Sequence, residues 1–272
     1  MKEASDKLLL FDSVPLNQNM NPASTPAQPE DIQGDGRWMS MHKRFVAETK
    51  EKEPEILFIG DSLVTHLSHT NAWSRWFAPM HALCFGMGGD QTQHVLWRVL
   101  NGELDGISPK IVVVFVGTNN HGHTPGQISE GILEIVKVIR QKQPQAQVVV
   151  CSLLPRGQFP NHLRDRNTRV NQILKEKISE LSNCHLVDSS EGFVQPQDGS
   201  ISHLDMYDYL HLTEAGYAKA FAPVNTILRR LLGYEEEEVE EEEFLATEDE
   251  SEAADLGKDS GASGDVACAA TK

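Results

Sequence analysis

Short apolar runs alternate with longer amphipathic segments through the middle of this chain. The apolar runs predict strands over residues 56–59, 82–85, 111–116, 148–153 and 185–187. The segments between and after them predict helices near residues 71–77, 91–100, 125–141, 163–181 and 213–232. Nearly continuous Val and Ile runs that alternate with helices are typical of a parallel sheet covered on both faces. The pattern therefore predicts an α/β fold, a three-layer α/β/α sandwich with a five-stranded parallel sheet of the flavodoxin type.

Ser62 follows the first predicted strand, which stops at Gly60. Open α/β sheets bind ligands at the carboxyl ends of their strands, so this serine lies where a site is expected. Far along the chain, Asp208 and His211 place a carboxylate and an imidazole three residues apart. A serine hydroxyl needs a base to take its proton and a further group to orient that base. These residues predict a serine-hydrolase site divided between two segments, and Asp205 is an alternative partner for His211.

Two further loops follow predicted strands, namely Gly86-Met87-Gly88-Gly89-Asp90 and Gly117-Thr118-Asn119-Asn120. An acyl-transfer intermediate carries an oxyanion that requires preorganised hydrogen-bond donors. Gly89 lets a backbone N–H approach a ligand closely, and Asn119 offers its Nδ2. Taken singly, these loops are ordinary turns or helix caps. Taken with the serine and histidine segments, they supply every part of an acyl-transfer site.

The order of these blocks resembles the SGNH (GDSL-type) hydrolase superfamily, whose blocks are named for their Ser, Gly, Asn and His. Longer segments are similar to the catalytic α subunits of the type I intracellular platelet-activating-factor acetylhydrolase family, nearer the α1 kind. These segments are GDSLV, FGMGGDQTQHVLWR, NGELDGISPKIVVVFVGTNNHGHT, LLPRG and ISHLDMYDYLHL. The similarity runs from about Gly34 to Leu232 and covers most of the chain.

The resemblance implies a role for each candidate site residue. Ser62 is then the nucleophile, His211 the general base and acid, and Asp208 the residue that orients the imidazole. The spacing in the superfamily favours Asp208 over Asp205 as this partner. The implied oxyanion donors are the backbone amides of Ser62 and Gly89 and the side chain of Asn119. The residues implied to narrow the acyl pocket toward acetyl are Leu63, Thr118 and Leu210.

The implied reaction is hydrolysis of the sn-2 acetyl ester of platelet-activating factor or a related ether phospholipid, without metal or cofactor. The resemblance also implies a homodimer or heterodimer of catalytic subunits that binds a WD40-repeat lissencephaly protein, a dynein regulator. Two alternatives are an esterase of another acetylated substrate, such as an O-acetyl sugar, and a subunit that mainly binds the WD40 protein. The chain departs from the family at Thr65-His66, Cys84 and Cys151-Ser152. We expect His66, about one helical turn beyond Ser62, to alter the pocket wall.

Charge is distributed unevenly along the chain, whose formal net charge is −16. Residues 235–272 hold 15 of the 40 acidic residues and only Lys258 and Lys272 on the basic side, which leaves −3 for the rest. Such a segment repels itself and lacks apolar residues for a core, so we expect a disordered acidic tail over 234–272. Residues 1–33 are expected to be flexible, and 34–233 to form the hydrolase domain. That nearly neutral domain has no basic patch for nucleic acid.

The remaining features predict no second site. His121 and His123 lack a nearby acidic or cysteine partner and are expected to be loop residues rather than metal ligands. The apolar run at residues 8–11 is too short for a signal-peptide core, and no run approaches the ~20 apolar residues of a membrane span. The cysteines are too widely spread for a metal cluster and suit core packing in a reducing, cytoplasmic compartment. They are Cys84, Cys151, Cys184 and Cys268.

Overall fold

The strands within residues 20–234, which are the residues that this computed structural model describes, form one sheet. They are β1 (Ile56–Gly60), β2 (Ala82–Gly86), β3 (Ile111–Phe115), β4 (Gln147–Cys151) and β5 (Cys184–Val187). Their order is β2-β1-β3-β4-β5, and every neighbouring pair is parallel. This is the order of flavodoxin-type sheets, so the predicted fold class is confirmed.

Helices cover both faces of the sheet. The α-helices are α1 (Arg37–Glu48), α2 (Ser62–Leu67), α3 (Thr92–Leu100), α4 (Pro125–Lys142), α5 (His162–Ile178) and α6 (Glu214–Leu232). The helix predicted near 71–77 is instead a π-helical turn over Trp73–Phe77, followed by a 3₁₀ turn over Ala78–Met80. The sequence pattern did not predict α1 or α2, and the six residues of α2 are too few to show a helical period. Within residues 20–234, no helix combines the length and apolar character needed to cross a bilayer.

Two apolar cores lie on opposite faces of the sheet, because successive side chains of a strand point to opposite sides. On β1, Leu57 and Ile59 pack into the core that α3, α4 and α5 cover. Ile56 and Phe58 pack into the core that α2 and α6 cover. All four side chains are buried, which explains why this strand is a continuous apolar run in the sequence.

The end of β4 differs from the prediction, which extended this strand to residue 153. The observed strand ends at Cys151. The backbone N–H and carbonyl of Leu153 form hydrogen bonds of 2.7 and 2.9 Å with the side-chain amide of Asn171 on α5. A side chain therefore takes the backbone groups that a longer strand would offer to its neighbours.

The described part of the N-terminal segment packs against the α/β domain. Asn21 caps a 3₁₀ turn over Pro22–Ser24, and its Nδ2 donates to the carbonyl of Gln127 on α4 at 2.9 Å. Ala23 is fully buried, and its carbonyl accepts from Oγ1 of Thr92 at 2.7 Å. The packed domain thus extends beyond the boundary expected at residue 34. Residues 1–19 and 235–272 lie outside the described residues, so the flexibility and disorder expected there stay predictions.

Candidate active site

Ser62, Asp208 and His211 come together at the carboxyl edge of the sheet. Oγ of Ser62 lies 3.0 Å from Nε2 of His211. Nδ1 of the same imidazole lies 2.7 Å from Oδ2 of Asp208. If Nδ1 carries the proton and donates it to the carboxylate, Nε2 is left to accept from the serine hydroxyl. The arrangement has the geometry of a nucleophile, a base and an orienting carboxylate.

Local hydrogen bonds hold the carboxylate of Asp208 in this orientation. Its Oδ1 accepts from the backbone N–H groups of Leu210 at 3.0 Å and His211 at 2.6 Å. Partial desolvation acts to raise the pKa of Asp208, but the hydrogen bonds from His211 and Leu210 lower it below its ordinary value. The carboxylate is therefore ionised at neutral pH and can stabilise an imidazolium. The alternative partner, Asp205, instead accepts from Nζ of Lys219 at 2.6 Å.

Two rings flank the imidazole of His211. Tyr207 lies nearly parallel to it, with 6.0 Å between ring centroids and an interplanar angle of 17°. His66, on α2, lies 5.0 Å away between ring centroids. Burial lowers the pKa of His66, and the nearby His211 lowers it further. His66 therefore places an uncharged imidazole beside the predicted base at neutral pH.

The predicted oxyanion donors lie on the loops that follow β1, β2 and β3. Ser62 is the first residue of α2, so its N–H has no acceptor within that helix. Gly89 has a φ of 81°, in the left-handed region that favours glycine. Nδ2 of Asn119 donates one hydrogen to the carbonyl of Asp90 at 3.0 Å, which orients the amide and leaves its second hydrogen for a ligand.

A buried arginine on α3 donates hydrogen bonds to the ends of β1 and β2. Arg98 is fully buried, and its Nη1 donates to the carbonyl of Gly60 at 3.3 Å, at the end of β1. Its Nη2 donates to the carbonyl of Phe85 on β2. The guanidinium also pairs with two buried carboxylates, Asp90 at 2.8 Å and Glu103 at 2.8 Å. One side chain therefore links two strand ends to the loop that carries Gly89.

Asp90 connects this buried charge network to Asn119, a predicted oxyanion donor. Its Oδ1 accepts from Nε1 of Trp38 at 2.7 Å, its Oδ2 accepts from Arg98, and its carbonyl orients Asn119. Sequence reasoning missed Arg98 and Trp38 as supports of the site. A signal was present for Arg98, because it is a lone cation among the apolar residues of the predicted helix.

Asp61 precedes the predicted nucleophile and is itself buried. Its Oδ1 accepts from the backbone N–H of Leu63 at 2.9 Å, which caps α2. Burial raises the pKa of Asp61 to about 7, although the hydrogen bond from Leu63 and the charge of Arg156 act to lower it. The charge of Asp90 acts in the same direction as burial. Between about pH 4 and 7, the carboxyl of Asp61 is therefore ionised in the unfolded chain and protonated in the folded protein.

Asp61→Asn should become progressively more stable than the wild type as pH rises. The stabilisation linked to Asp61 is fully present below its unfolded pKa and is lost as pH rises through its folded pKa. Asparagine keeps an oxygen to cap α2 but has no proton to lose. Between pH 4 and 8 the gap in unfolding free energy should grow by about 2–4 kcal/mol in favour of the variant.

Urea unfolding of both proteins across this pH range measures the gap. Asp165→Asn, at an exposed position on α5, is the control. It measures the change in unfolding free energy that follows from removing a carboxylate that is not buried. If the difference in unfolding free energy between Asp61→Asn and the wild type stayed constant from pH 4 to 8, the pKa of Asp61 would not be raised in the folded protein.

The three predicted acyl-pocket residues differ in exposure. Leu63 is 2% exposed and packs in the core under α2 and α6, and Thr118 is 4% exposed. Leu210 is half-buried and lines a cavity of about 380 Å³ together with Asp208 and Arg156. A second cavity, of about 450 Å³, adjoins Gly89. The role of these residues in selecting acetyl stays a prediction.

The histidine pair and the cysteines have ordinary surroundings. Nδ1 of His123 lies 3.2 Å from Nδ2 of Asn120. Among residues 20–234, no group of three or more His, Cys, Asp or Glu side chains is placed to hold a metal ion. Burial raises the pKa of the Cys151 thiol to about 12, so this cysteine is an inert core residue. Cys268 lies outside the described residues.

Comparison with known proteins shows the family. The model of the GDSL-like lipase/acylhydrolase family matches residues 58–219, a range that contains all the predicted catalytic residues. The chain belongs to this family. Members are serine hydrolases, so this GDSL-like chain is a hydrolase, as predicted.

Several relatives of this GDSL-like chain are subunits of one enzyme. Platelet-activating factor acetylhydrolase IB subunit alpha1 of Pongo abelii is 56% identical over 216 residues, which are 79% of this chain and 93% of that protein. The alpha1 subunit of Homo sapiens is 55% identical over 216 residues, with the same shares covered. The alpha2 subunit of Bos taurus is 52% identical over 212 residues, 78% of this chain and 92% of that protein. These identities confirm the predicted resemblance to the α subunits.

Solved structures agree on the fold. A GDSL-like lipase from Bacteroides thetaiotaomicron superposes with a TM-score of 0.56 at 16% identity, over 70% of this chain and 95% of that chain. A member of the lipolytic G-D-S-L family from Veillonella parvula gives a TM-score of 0.52 at 16% identity, over 64% and 98%. At such identities, the comparison speaks for the shared architecture alone.

Proposed function

We propose that this chain is a serine esterase that removes the sn-2 acetyl group of platelet-activating factor or a related ether phospholipid. The observation that carries the proposal is the pair of contacts from Ser62 to His211 and from His211 to Asp208, at 3.0 and 2.7 Å. The names of the alpha1 and alpha2 relatives support acetyl as the acyl group and platelet-activating factor as the substrate.

In the first half of the reaction, Oγ of Ser62 attacks the acetyl carbonyl carbon while Nε2 of His211 takes the hydroxyl proton. Asp208 stabilises the imidazolium that forms. The carbonyl oxygen becomes an oxyanion, which accepts from the backbone N–H groups of Ser62 and Gly89 and from Nδ2 of Asn119. The intermediate then collapses, His211 protonates the departing alcohol oxygen, and an acetyl-enzyme remains on Ser62.

In the second half, a water molecule repeats the attack. His211 takes a proton from the water, which adds to the acetyl carbonyl of the acyl-enzyme. The same donors hold the second oxyanion. When it collapses, His211 returns a proton to Oγ of Ser62, and acetic acid leaves and loses its proton to the solvent as acetate.

The assembly and location of the protein are part of the proposal. The relatives are named as subunits of two kinds, alpha1 and alpha2, which supports a homodimer or a heterodimer with a related catalytic chain. We further propose a cytoplasmic protein that binds a WD40-repeat lissencephaly protein, as the resemblance implies. Co-purification of the Ser62→Ala variant with that WD40 protein tests this partner independently of catalysis.

The nucleophile is tested by intact-protein mass after treatment with a fluorophosphonate probe. The wild type should gain a single adduct, and Ser62→Ala should gain none. Turnover of p-nitrophenyl acetate is then compared with that of longer acyl esters, and an acetylated ether phospholipid with a sugar acetate. An unlabelled, inactive wild type that is folded would refute the esterase proposal. Preference for the sugar acetate would support the proposed ester hydrolysis but would show that an acetylated sugar, and not the ether phospholipid, is the better substrate.

Asn119→Ala should lower kcat for p-nitrophenyl acetate by about 10²–10³-fold, the usual cost of removing one oxyanion donor. The fall should appear mainly in kcat, because the donor acts on charge that exists only after attack. Asn101→Ala removes an exposed amide at the end of α3 and should keep wild-type kinetics. Normal turnover by folded Asn119→Ala would remove Asn119 from the oxyanion site.

A further inference from the structure

Arg156 lies on the loop after β4 and contacts the loop that carries Asn119. Its Nη1 donates to the carbonyl of Thr118 at 2.9 Å and to Oγ1 of Thr118 at 3.2 Å. Thr118 directly precedes Asn119, the proposed oxyanion donor. This half-buried guanidinium therefore borders the site without belonging to the catalytic set described above.

One edge of this guanidinium has no acceptor in the part of the chain that the structure describes. Within residues 20–234, only Nη1 of Arg156 donates to the protein, which leaves Nε and Nη2 for a ligand. Arg166, on α5, donates to the same Thr118 carbonyl, yet all three of its nitrogens are engaged, with Thr118, Asn120 and Asn167. Both arginines therefore donate to the loop that carries Thr118 and Asn120, and only Arg156 has Nε and Nη2 donors that are available to a ligand.

The electrostatic neighbours of Arg156 place its charge beside the reacting groups. Burial lowers the pKa of Arg156, and the nearby Asp61 and Asp208 oppose this shift only in part. The guanidinium is still charged at neutral pH, because the ordinary pKa of arginine lies far above 7. Asp61 precedes the nucleophile and Asp208 orients the base. Asp208 opposes a bound anion, yet its oxygens already accept from His211 and Leu210, which offsets part of its charge.

A cavity of about 380 Å³ adjoins Arg156 and the triad carboxylate. Arg156, Asp208 and Leu210 line it together with the start of α5. The free Nε and Nη2 form a planar pair of donors, and such a pair matches two oxygens of a phosphate or carboxylate. Among the groups of a glycerophospholipid, the phosphate is the one with this geometry and charge.

We infer that Arg156 binds the phosphate of the substrate's alcohol portion through its Nε and Nη2 and so selects phosphate-bearing acetyl esters over neutral ones. The inference rests on the proposed function and adds a specificity-determining residue to it. The phosphate lies on the leaving alcohol, so its binding positions the ester next to Ser62 but takes no part in the proton transfers.

The test uses two acetyl glycerol ethers with the same short alkyl chain, one with a 3-phosphate ester and one with a free 3-hydroxyl. The wild type should show a higher kcat/KM for the phosphate-bearing ester. Arg156→Gln should lower kcat/KM for that ester by about 10–100-fold more than for the neutral ester, mainly through KM. Arg156→Lys, which keeps the charge but not the planar pair of donors, should recover part of the difference.

Arg166→Gln is the matched control, because it removes the other arginine from the Thr118 carbonyl without touching the free edge. It should lower kcat/KM for both esters by the same factor.

An equal loss on both esters with Arg156→Gln would show that Arg156 only supports the loop, and it would overturn the inference. A wild type without preference for the phosphate would overturn it as well. If Arg156→Gln fails to fold, Arg156→Lys replaces it: this variant should still lose more kcat/KM on the phosphate-bearing ester than on the neutral one, by a smaller factor, and an equal effect on both esters would overturn the inference. A wild type that hydrolyses neither ester would refute the proposed function, and the inference with it.

Discussion

Replacement of Ser62 by alanine should remove nearly all ester hydrolysis and leave the folded protein intact. The hydroxyl contacts Nε2 of His211, and its loss deletes one oxygen from a half-buried position without opening the core. His211→Ala should have an equally severe effect, because a serine without its base is a poor nucleophile. We expect each substitution to lower kcat by on the order of 10⁴–10⁶-fold.

The double variant makes this prediction sharper. Members of a triad act as a unit, so Ser62→Ala combined with His211→Ala should be no less active than either single variant. The remaining rate should come from the proposed oxyanion donors and from substrate binding, which neither substitution removes. Ser68→Ala, at the other end of α2, deletes a hydroxyl that donates to the carbonyl of Thr65 and should keep wild-type turnover.

Single-turnover kinetics with p-nitrophenyl acetate measure these rates, and urea unfolding shows whether each variant keeps its fold. If the losses from Ser62→Ala and His211→Ala multiplied in the double variant, the two residues would act independently. Their 3.0 Å contact would then not be the catalytic one.

The parts of the site that follow strands were predictable from sequence. Buried parallel strands are continuous apolar runs, and their carboxyl ends meet at one edge of the sheet. Ser62, Gly89 and Asn119 each follow such a run, so the pattern alone predicts that they meet at this edge. The pairing of His211 with Asp208 instead of Asp205 needed the family spacing, because residue types do not distinguish two carboxylates on one irregular loop.

The contacts that support the site were not predictable, because they join residues that are distant in the sequence; the lone cation at Arg98 was a signal, but it did not identify the partners. Arg98 reads as one charged position in an amphipathic helix, and only the fold shows that it faces two strand ends. Asp61 reads as part of a turn, and only its burial gives it a raised pKa. The free edge of Arg156 is likewise a property of what surrounds the side chain rather than of the residue.

Arg98→Met should destabilise the protein by roughly 3–5 kcal/mol, the usual cost of breaking a buried ion pair from one side. Methionine fills a similar space but leaves the carboxylates of Asp90 and Glu103 buried without their cation. Activity should also fall in the protein that remains folded, because Asp90 orients Asn119 through its carbonyl. Urea unfolding at pH 7 and kcat for p-nitrophenyl acetate measure the two effects.

Two comparisons separate the loss of the ion pair from the loss of arginine in general. Arg169→Met, at an exposed position on α5, should leave both stability and kcat near wild type. Neutralising the carboxylates as well, in Arg98→Met with Asp90→Asn and Glu103→Gln, should recover much of the lost stability, because no uncompensated charge then stays buried. A triple variant no more stable than Arg98→Met would show that the arginine acts through its hydrogen bonds to Gly60 and Phe85. In that case, Arg98 would stabilise the fold through the ends of β1 and β2, next to Ser62, and not by neutralising the buried carboxylates.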